Sequence, residues 1–152
     1  MTKIEELERV METEVEVGEA LLQLLSRKQR SIAGIQGDIL SSLTAEEQTL
    51  LKPLQELEGE RMRLAAELVG NASVPATEGT RAVSIEELLD CLGGADAVRI
   101  STITARLRKV VERLLQMNEQ NRVLLQRSLR FVQDTLRLVT DDHTRQLVDH
   151  RI

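Results

Sequence analysis

Residues 100–139 read ISTITARLRKVVERLLQMNEQNRVLLQRSLRFVQDTLRLV, and the periodicity of this stretch decides the fold class. Steps of three and four from Ile100 select Ile100, Ile103, Leu107, Val110, Leu114, Met117, Asn121, Leu124, Ser128, Phe131, Thr135 and Leu138, of which nine of twelve are apolar. That is the heptad spacing of a helix laid along other helices. No Gly or Pro falls between Asp96 and Val139, so the spacing predicts one helix over 96–139, about 66 Å long at about 1.5 Å per residue. A second apolar row runs beside the first through Val111, Leu115, Leu125, Leu129, Val132, Leu136 and Val139. Together the rows are wider than a two-stranded seam requires and suit contact with two helices or a groove for a partner. Arg99, Arg106, Arg113 and Arg127 flank the stripe at g positions, placed to meet acidic side chains across an interhelical boundary.

The rest of the composition agrees with a helical chain. Of 152 residues 41% are hydrophobic and 30% charged, and Phe131 is the single aromatic. Sheets favour β-branched and aromatic residues, whereas Leu, Glu, Arg and Gln favour helices. The expected fold is all-α, an elongated antiparallel helical bundle of coiled-coil character with one long C-terminal helix. The length suits a single domain over 1–139, followed by a flexible tail over 140–152. Residues 1–69 carry 14 acidic and 8 basic groups, and residues 96–139 carry 9 basic and 4 acidic ones. These opposite balances favour packing of the N-terminal helices on the C-terminal one. A nucleic-acid surface would need a basic face with aromatics to stack bases, and the net charge of −5 argues against it. Cys91 stands alone, so no internal disulfide forms and a reducing cytoplasm is expected. No signal-like apolar run opens the sequence, and nowhere do 18 apolar residues follow one another, so stable membrane insertion is not expected.

In chain order, Thr2 caps a helix whose first turn carries Glu5 and Glu6, matching the positive end of its dipole. Ile4, Leu7, Met11, Leu21, Leu25, Ile32 and Ile35 keep the three-four spacing, interrupted by Glu14, Gly18 and Lys28. Gly18 would let a neighbouring helix approach closely, and Lys28 can lay its stem on apolar surface while its ammonium reaches water. The chain should turn between residues 32 and 43, where Gly34, Gly37, Asp38, Ser41 and Ser42 are all suited to it. Thr44-Ala45-Glu46-Glu47 has the capping-box arrangement of a helix start. Leu50, Leu51, Leu54, Leu57, Leu64 and Leu68 give that helix its apolar face, and Pro53 inside it should kink it or mark its true beginning. Residues 70–83, small and polar with two Gly and one Pro, form the expected mobile linker. Ser84-Ile85-Glu86-Glu87 is a second capping box, opening a short helix that stops at Gly93-Gly94. Two partner helices of about 30 residues reach only about 45 Å along a helix of about 66 Å, so one end of the long helix should protrude with its apolar face uncovered.

Chemistry-bearing constellations are scarce. His143 and His150 both sit in the tail near Asp141, Asp142 and Asp149, with no second ligand cluster to close a metal site. No Glu-x-x-His pair of a helix-bundle di-metal centre occurs, and no glycine-rich phosphate loop. Cys91 ends a short helix, whereas thiolates are favoured at helix starts. Neither catalysis nor a cofactor is expected. What remains is the stripe and its polar interruption. Asn118 and Asn121 share one face of the long helix; a buried Asn there would fix register, and an exposed one would hydrogen-bond the backbone of a partner. Phe131, Val132, Leu136, Leu138 and Val139 read equally as bundle core and as binding surface.

The run Leu115-Gln116-Met117-Asn118-Glu119-Gln120-Asn121-Arg122-Val123-Leu124-Leu125, continued by Ser128-Leu129-Arg130-Phe131, resembles the Asn-x-x-Asn-x-x-Leu-Leu signature in the C-terminal helix of FlgN-like flagellar export chaperones. Leu21-Leu22-Gln23-Leu24-Leu25 with Lys28, then Leu57-Glu58 with Arg61, follow in the order usual for that family. The resemblance covers about Ile4 to Val139. It implies a cytoplasmic, non-enzymatic chaperone of the flagellar type III secretion system. Such a protein binds the C-terminal segments of hook–filament junction proteins, prevents their premature assembly and delivers them to the export gate or an ATPase-complex component. Client binding in the family maps here onto Asn118, Asn121, Leu124, Leu125, Ser128, Phe131, Val132, Leu136 and Val139. Some relatives contact the gate through a tail tyrosine, and this chain contains no Tyr. Two other readings stay open: a coiled-coil subunit or tether whose stripe makes a homodimer, and a helical metalloprotein using the tail histidines.

Overall fold

A computed structural model describes residues 1–70 and 83–149, with residues 141–149 described by their backbone alone. It contains four helices: α1 (Lys3–Ala33), α2 (Gly37–Val69), α3 (Ile85–Cys91) and α4 (Gly94–Asp149). There is no strand among the described residues. Most of the expected linker, residues 71–82, lies outside the described residues, as do residues 150–152.

Local chemistry sets the helix starts. The Thr2 hydroxyl accepts from the Glu5 amide at 3.2 Å, and the Glu5 carboxylate accepts from the Thr2 amide at 3.1 Å, a complete capping box. Ser84 caps α3 by accepting from the Glu87 amide at 3.2 Å. α1 and α2 are joined by a three-residue reversal, Gly34 to Gln36, at the early edge of the expected window. Gly34 donates to the Arg30 carbonyl and Gln36 to the Ser31 carbonyl, both at 3.0 Å, which closes the end of α1. Ile35 makes the turn with φ of 52°, a left-handed conformation that a β-branched residue rarely adopts.

Three boundaries differ from the sequence expectations. Thr44 does not start a helix; it lies well inside α2, and its hydroxyl donates to the Leu40 carbonyl at 2.9 Å. Starting at Gly37 brings Leu43 into α2, where it is buried against Leu21, Leu24 and Leu25; a start at Thr44 would forfeit that burial. α2 continues through Pro53. Proline removes one backbone donor, but Leu50, Leu51 and Leu54 pack on one core cluster and Leu57 and Leu64 on the other, so both flanks are held. Finally, α4 starts at Gly94 and runs to Asp149, so residues 140–149, expected in a tail, continue the helix beyond Val139. No Gly or Pro follows Gly94 to stop it.

α1 is the shared partner of the other long helices. α2 lies antiparallel to it, with Lys3 paired to Glu67 at 3.5 Å near one end and Lys28 to Glu47 at 2.8 Å near the other. α4 runs parallel to α1: Arg99 meets Glu8 at the start, and Asn121 meets Leu25 further along. α2 and α4 make no close backbone approach to each other, and α3 fits between them at one end. The core follows α1 in two clusters, one around Leu7, Met11, Leu64, Leu88, Ile100 and Ile103, the other around Leu21, Leu24, Leu25 and Leu43.

The three residues that interrupted the α1 stripe each have a structural role. A Cβ on Gly18 would stand 2.5 Å from Val110 Cγ1, so the glycine allows α4 its close approach. Glu14 is buried and receives both of its carboxylate oxygens' hydrogen bonds from Arg61 Nε, at 3.0 and 3.1 Å. Burial pushes the Glu14 carboxyl above its usual range, and Arg61 offsets this only in part. Lys28 does not end in water; its ammonium meets the Glu47 carboxylate.

Candidate functional site

The 31 residues of α1 extend about 46 Å and the 56 residues of α4 about 84 Å at the usual helical rise. With Leu25 level with Asn121, 96 positions apart, α1 ends opposite Leu129. Beyond that point nothing in the described chain lies along α4. The consequence is visible in exposure. Ile100, Ile103 and Val110 are at most 7% exposed, whereas Leu136, Leu138 and Val139 are at least 60% exposed on the same helical stripe. Leu129, Phe131 and Val132 are exposed with them. At about 100° per residue, Leu129 and Leu138 mark the two edges of an apolar arc about 180° wide, centred on Val132 and Val139.

The residues expected to form the site divide by depth. Phe131, Val132, Leu136 and Val139 stand exposed on the free part of α4, while Leu124, Leu125 and Ser128 are half-buried at its junction with the bundle. Asn118 is exposed. Asn121 is not part of the surface: it is 4% exposed, and its amide nitrogen donates to the Leu25 carbonyl of α1 at 2.9 Å. It fixes the register of α4 on α1. Its Oδ1 is buried without a partner among the described residues, a cost of about 1–3 kcal/mol accepted for that register. Leu129 and Leu138 belong to the surface as well: Leu138 is one of the five residues that read equally as core and as binding surface, and Leu129 stands in the second apolar row. The hairpin tip adds Ile35 and Ile39, both exposed.

Arg122 and Arg127 stand beside the two edges of the arc, whereas Arg130 and Arg137 fall on the opposite side of the helix. Residues 122–139 carry Arg122, Arg127, Arg130 and Arg137 against Asp134 alone. Arg122 is held by Glu119 of the same helix at 2.6 Å, and its hydrogen bond draws the Glu119 carboxyl below its usual range. Of the four g-position arginines, Arg99 alone makes its interhelical pair, with Glu8; Arg106, Arg113 and Arg127 pair with no acidic side chain among the described residues. An exposed apolar arc of this width can bind an amphipathic helix. Among the described residues no group of three or more His, Cys, Asp or Glu side chains could hold a metal ion. The His143 and His150 side chains lie outside the described residues, and Cys91 is exposed at the end of α3. No described helix is long and apolar enough to cross a membrane.

A family model described as FlgN protein matches residues 1–148, nearly the whole chain. No curated protein and no solved structure matches it.

Proposed function

The chain belongs to the FlgN protein family of flagellar export chaperones, and on that premise we propose that it binds the C-terminal segments of hook–filament junction proteins through the free part of α4. The observation that carries this reading is the row of large exposed apolar side chains there, Leu129, Phe131, Val132, Leu136, Leu138 and Val139. A surface of this kind, left uncovered on a helix, marks a partner site. Client ends that later form helical contacts in the filament need a substitute partner beforehand. An amphipathic client helix laid on the arc would hide its own apolar face, which prevents premature assembly. Delivery follows by release at the type III export gate or a component of its ATPase complex, in the cytoplasm and without chemistry by this chain. The gate contact is made without a tyrosine, because the chain contains none.

The test is a calorimetric titration of the full chain with the C-terminal segment of a hook–filament junction protein from the same organism. Binding near one to one with a negative heat-capacity change is expected, the signature of apolar helix burial. No heat at several temperatures would overturn the reading.

A further inference from the structure

α1 and the free apolar arc share one side of α4. Val139 follows Asn121 by 18 residues, five full turns at about 100° per residue, and Asn121 faces the Leu25 carbonyl of α1. The arc centred on Val132 and Val139 therefore prolongs the face that α1 covers, and a helix laid on it would lie in line with α1. The end of the α1–α2 hairpin closes that line. At the offset of 96 positions set by Leu25 and Asn121, Gly34 to Gln36 fall level with residues 130–132 of α4. The open cleft that α2 and α4 leave along α1 beside α3 gives no such apolar line, for Glu14, Glu58 and Arg61 are among its lining residues.

The hairpin end is apolar and strained where a turn is ordinarily polar. Ile32, Ile35 and Ile39 carry the three-four row of α1 through the reversal; Ile32 is buried, but Ile35 is 59% and Ile39 48% exposed. Ile35 also holds φ of 52°, although Gly34 beside it and Gly37 two places on keep negative φ. That conformation costs an L side chain about 1–2 kcal/mol. With most of the Ile35 side chain in solvent, packing within the chain compensates little of it. Backbone outliers of this kind gather where a residue serves a ligand or partner.

We infer that the hairpin end is an end-stop: the client is a chain-terminal amphipathic helix that lies antiparallel to α4, in line with α1, with its last turn packed on Ile35 and Ile39. This rests on the chaperone reading above and adds to it the direction of the client and the place where it ends. From residue 130 to residue 149 the free part of α4 gives room for about 20 residues, roughly 30 Å. A helix continuing past the stop would run into the hairpin, so the occupant ends there, as the C-terminal segment of a junction protein does. A second copy of this chain does not match the surface. Laid antiparallel and stopped at the hairpin, it would set its residues 140–149, TDDHTRQLVD, against residues 130–139, and of that run only Leu147 and Val148 are apolar. Laid parallel, it would bring its own α1 and hairpin into the place of this chain's, because the arc and α1 share one face.

The test titrates the full chain with the junction-protein segment as it stands, with the segment extended at its C-terminus by an Ala-rich helical stretch of about ten residues, and with the same stretch added at its N-terminus instead. The C-terminal extension should weaken binding about tenfold or more, because it lifts the last turn off the hairpin end, and the N-terminal one should leave affinity unchanged. Ile35→Asn supplies a second arm. Asn tolerates the left-handed conformation, so this variant should unfold at an equal or higher temperature and yet bind the unextended segment about tenfold more weakly; a residue serving the turn alone would not separate the two. If the C-terminal extension or the Ile35→Asn chain binds as tightly as the parent pair, the hairpin is not a stop, though the chaperone reading stands. Weakening by the N-terminal extension alone would reverse the client and overturn its direction. No binding of the unextended segment sinks both readings. A dimer of the free chain in sedimentation that Leu136→Asp dissociates would place a second copy on the arc and overturn the assignment of the occupant.

Discussion

The first and second halves of α4 carry one amphipathic pattern and meet opposite fates. From Ile100 to Asn121 the stripe is buried against α1; from Leu129 to Val139 the same spacing of apolar residues faces solvent. Neither half contains Gly or Pro, and although Ser128 and Thr135 thin the first row in the second half, the row through Leu129, Val132, Leu136 and Val139 keeps it apolar. The difference lies in a neighbour: α1 turns back at Gly34–Gln36 and α4 does not. Periodicity specifies that a helix has a face to bury, and the lengths of the other elements decide which part of that face is buried within the chain.

Large-to-small substitutions should separate the halves most strongly. Ile100 is fully buried, and Ile100→Ala is expected to cost about 2–5 kcal/mol of stability in denaturant unfolding. Gly18→Ala tests how closely the covered half is packed. Its added methyl would press on Val110 Cγ1, and overpacking of about 1–3 kcal/mol should outweigh the gain of about 1 kcal/mol in helix propensity. A net loss of about 1 kcal/mol is expected, and a Gly18→Ala chain that melts higher would show that α1 and α4 have room to spare.

The boundary between the halves can be altered at the turn. Ile35 holds φ of 52°, and Ile35→Gly removes a penalty of about 1 kcal/mol, so the variant should be more stable by about that amount. An unchanged or lower midpoint would mean that the Ile35 side chain contributes as much as its strain costs. A smaller effect belongs to Glu14, which titrates abnormally because the covered half encloses it. Its folded carboxyl sits above the ordinary 4.5, so the folded chain holds that proton more tightly than the unfolded one. Glu14 therefore makes stability fall as pH rises from the ordinary value through the raised one, and Glu14→Gln should flatten that slope in pH-dependent unfolding. Least of all, Leu138→Ala on the free half should change stability by less than about 0.5 kcal/mol.

How much of this was legible depends on range. The all-α class, the capping boxes at Thr2 and Ser84, the close approach at Gly18 and an overhanging end of the long helix follow from local chemistry and spacing. The turn narrowed only to a window, because five residues suited it and the one that adopts the left-handed conformation, Ile35, is among the least suited. Thr44 misled because a capping signature is worth about 1 kcal/mol, less than burying Leu43. The end of α4 was misplaced because Thr140-Asp141-Asp142 looks like a terminus and nothing in that run breaks a helix. Of the site, the paired asparagines were visible as a motif, but which one faces α1 depends on the helix's rotation against a partner ninety-six residues away. The open cleft beside α3 was not legible, since it exists only because α2 and α4 share α1 without meeting.

Hydrogen exchange along α4, read amide by amide with and without the junction-protein segment, tests the division of this helix most directly. In the free chain, residues 100–117 should be strongly protected and residues 129–139 should exchange fast at every protein concentration. Adding the segment should slow residues 129–139 and leave residues 100–117 unchanged. Equal protection of both halves in the free chain, or a fast second half that the segment fails to slow, would contradict the assignment of the free half of α4 as the client surface.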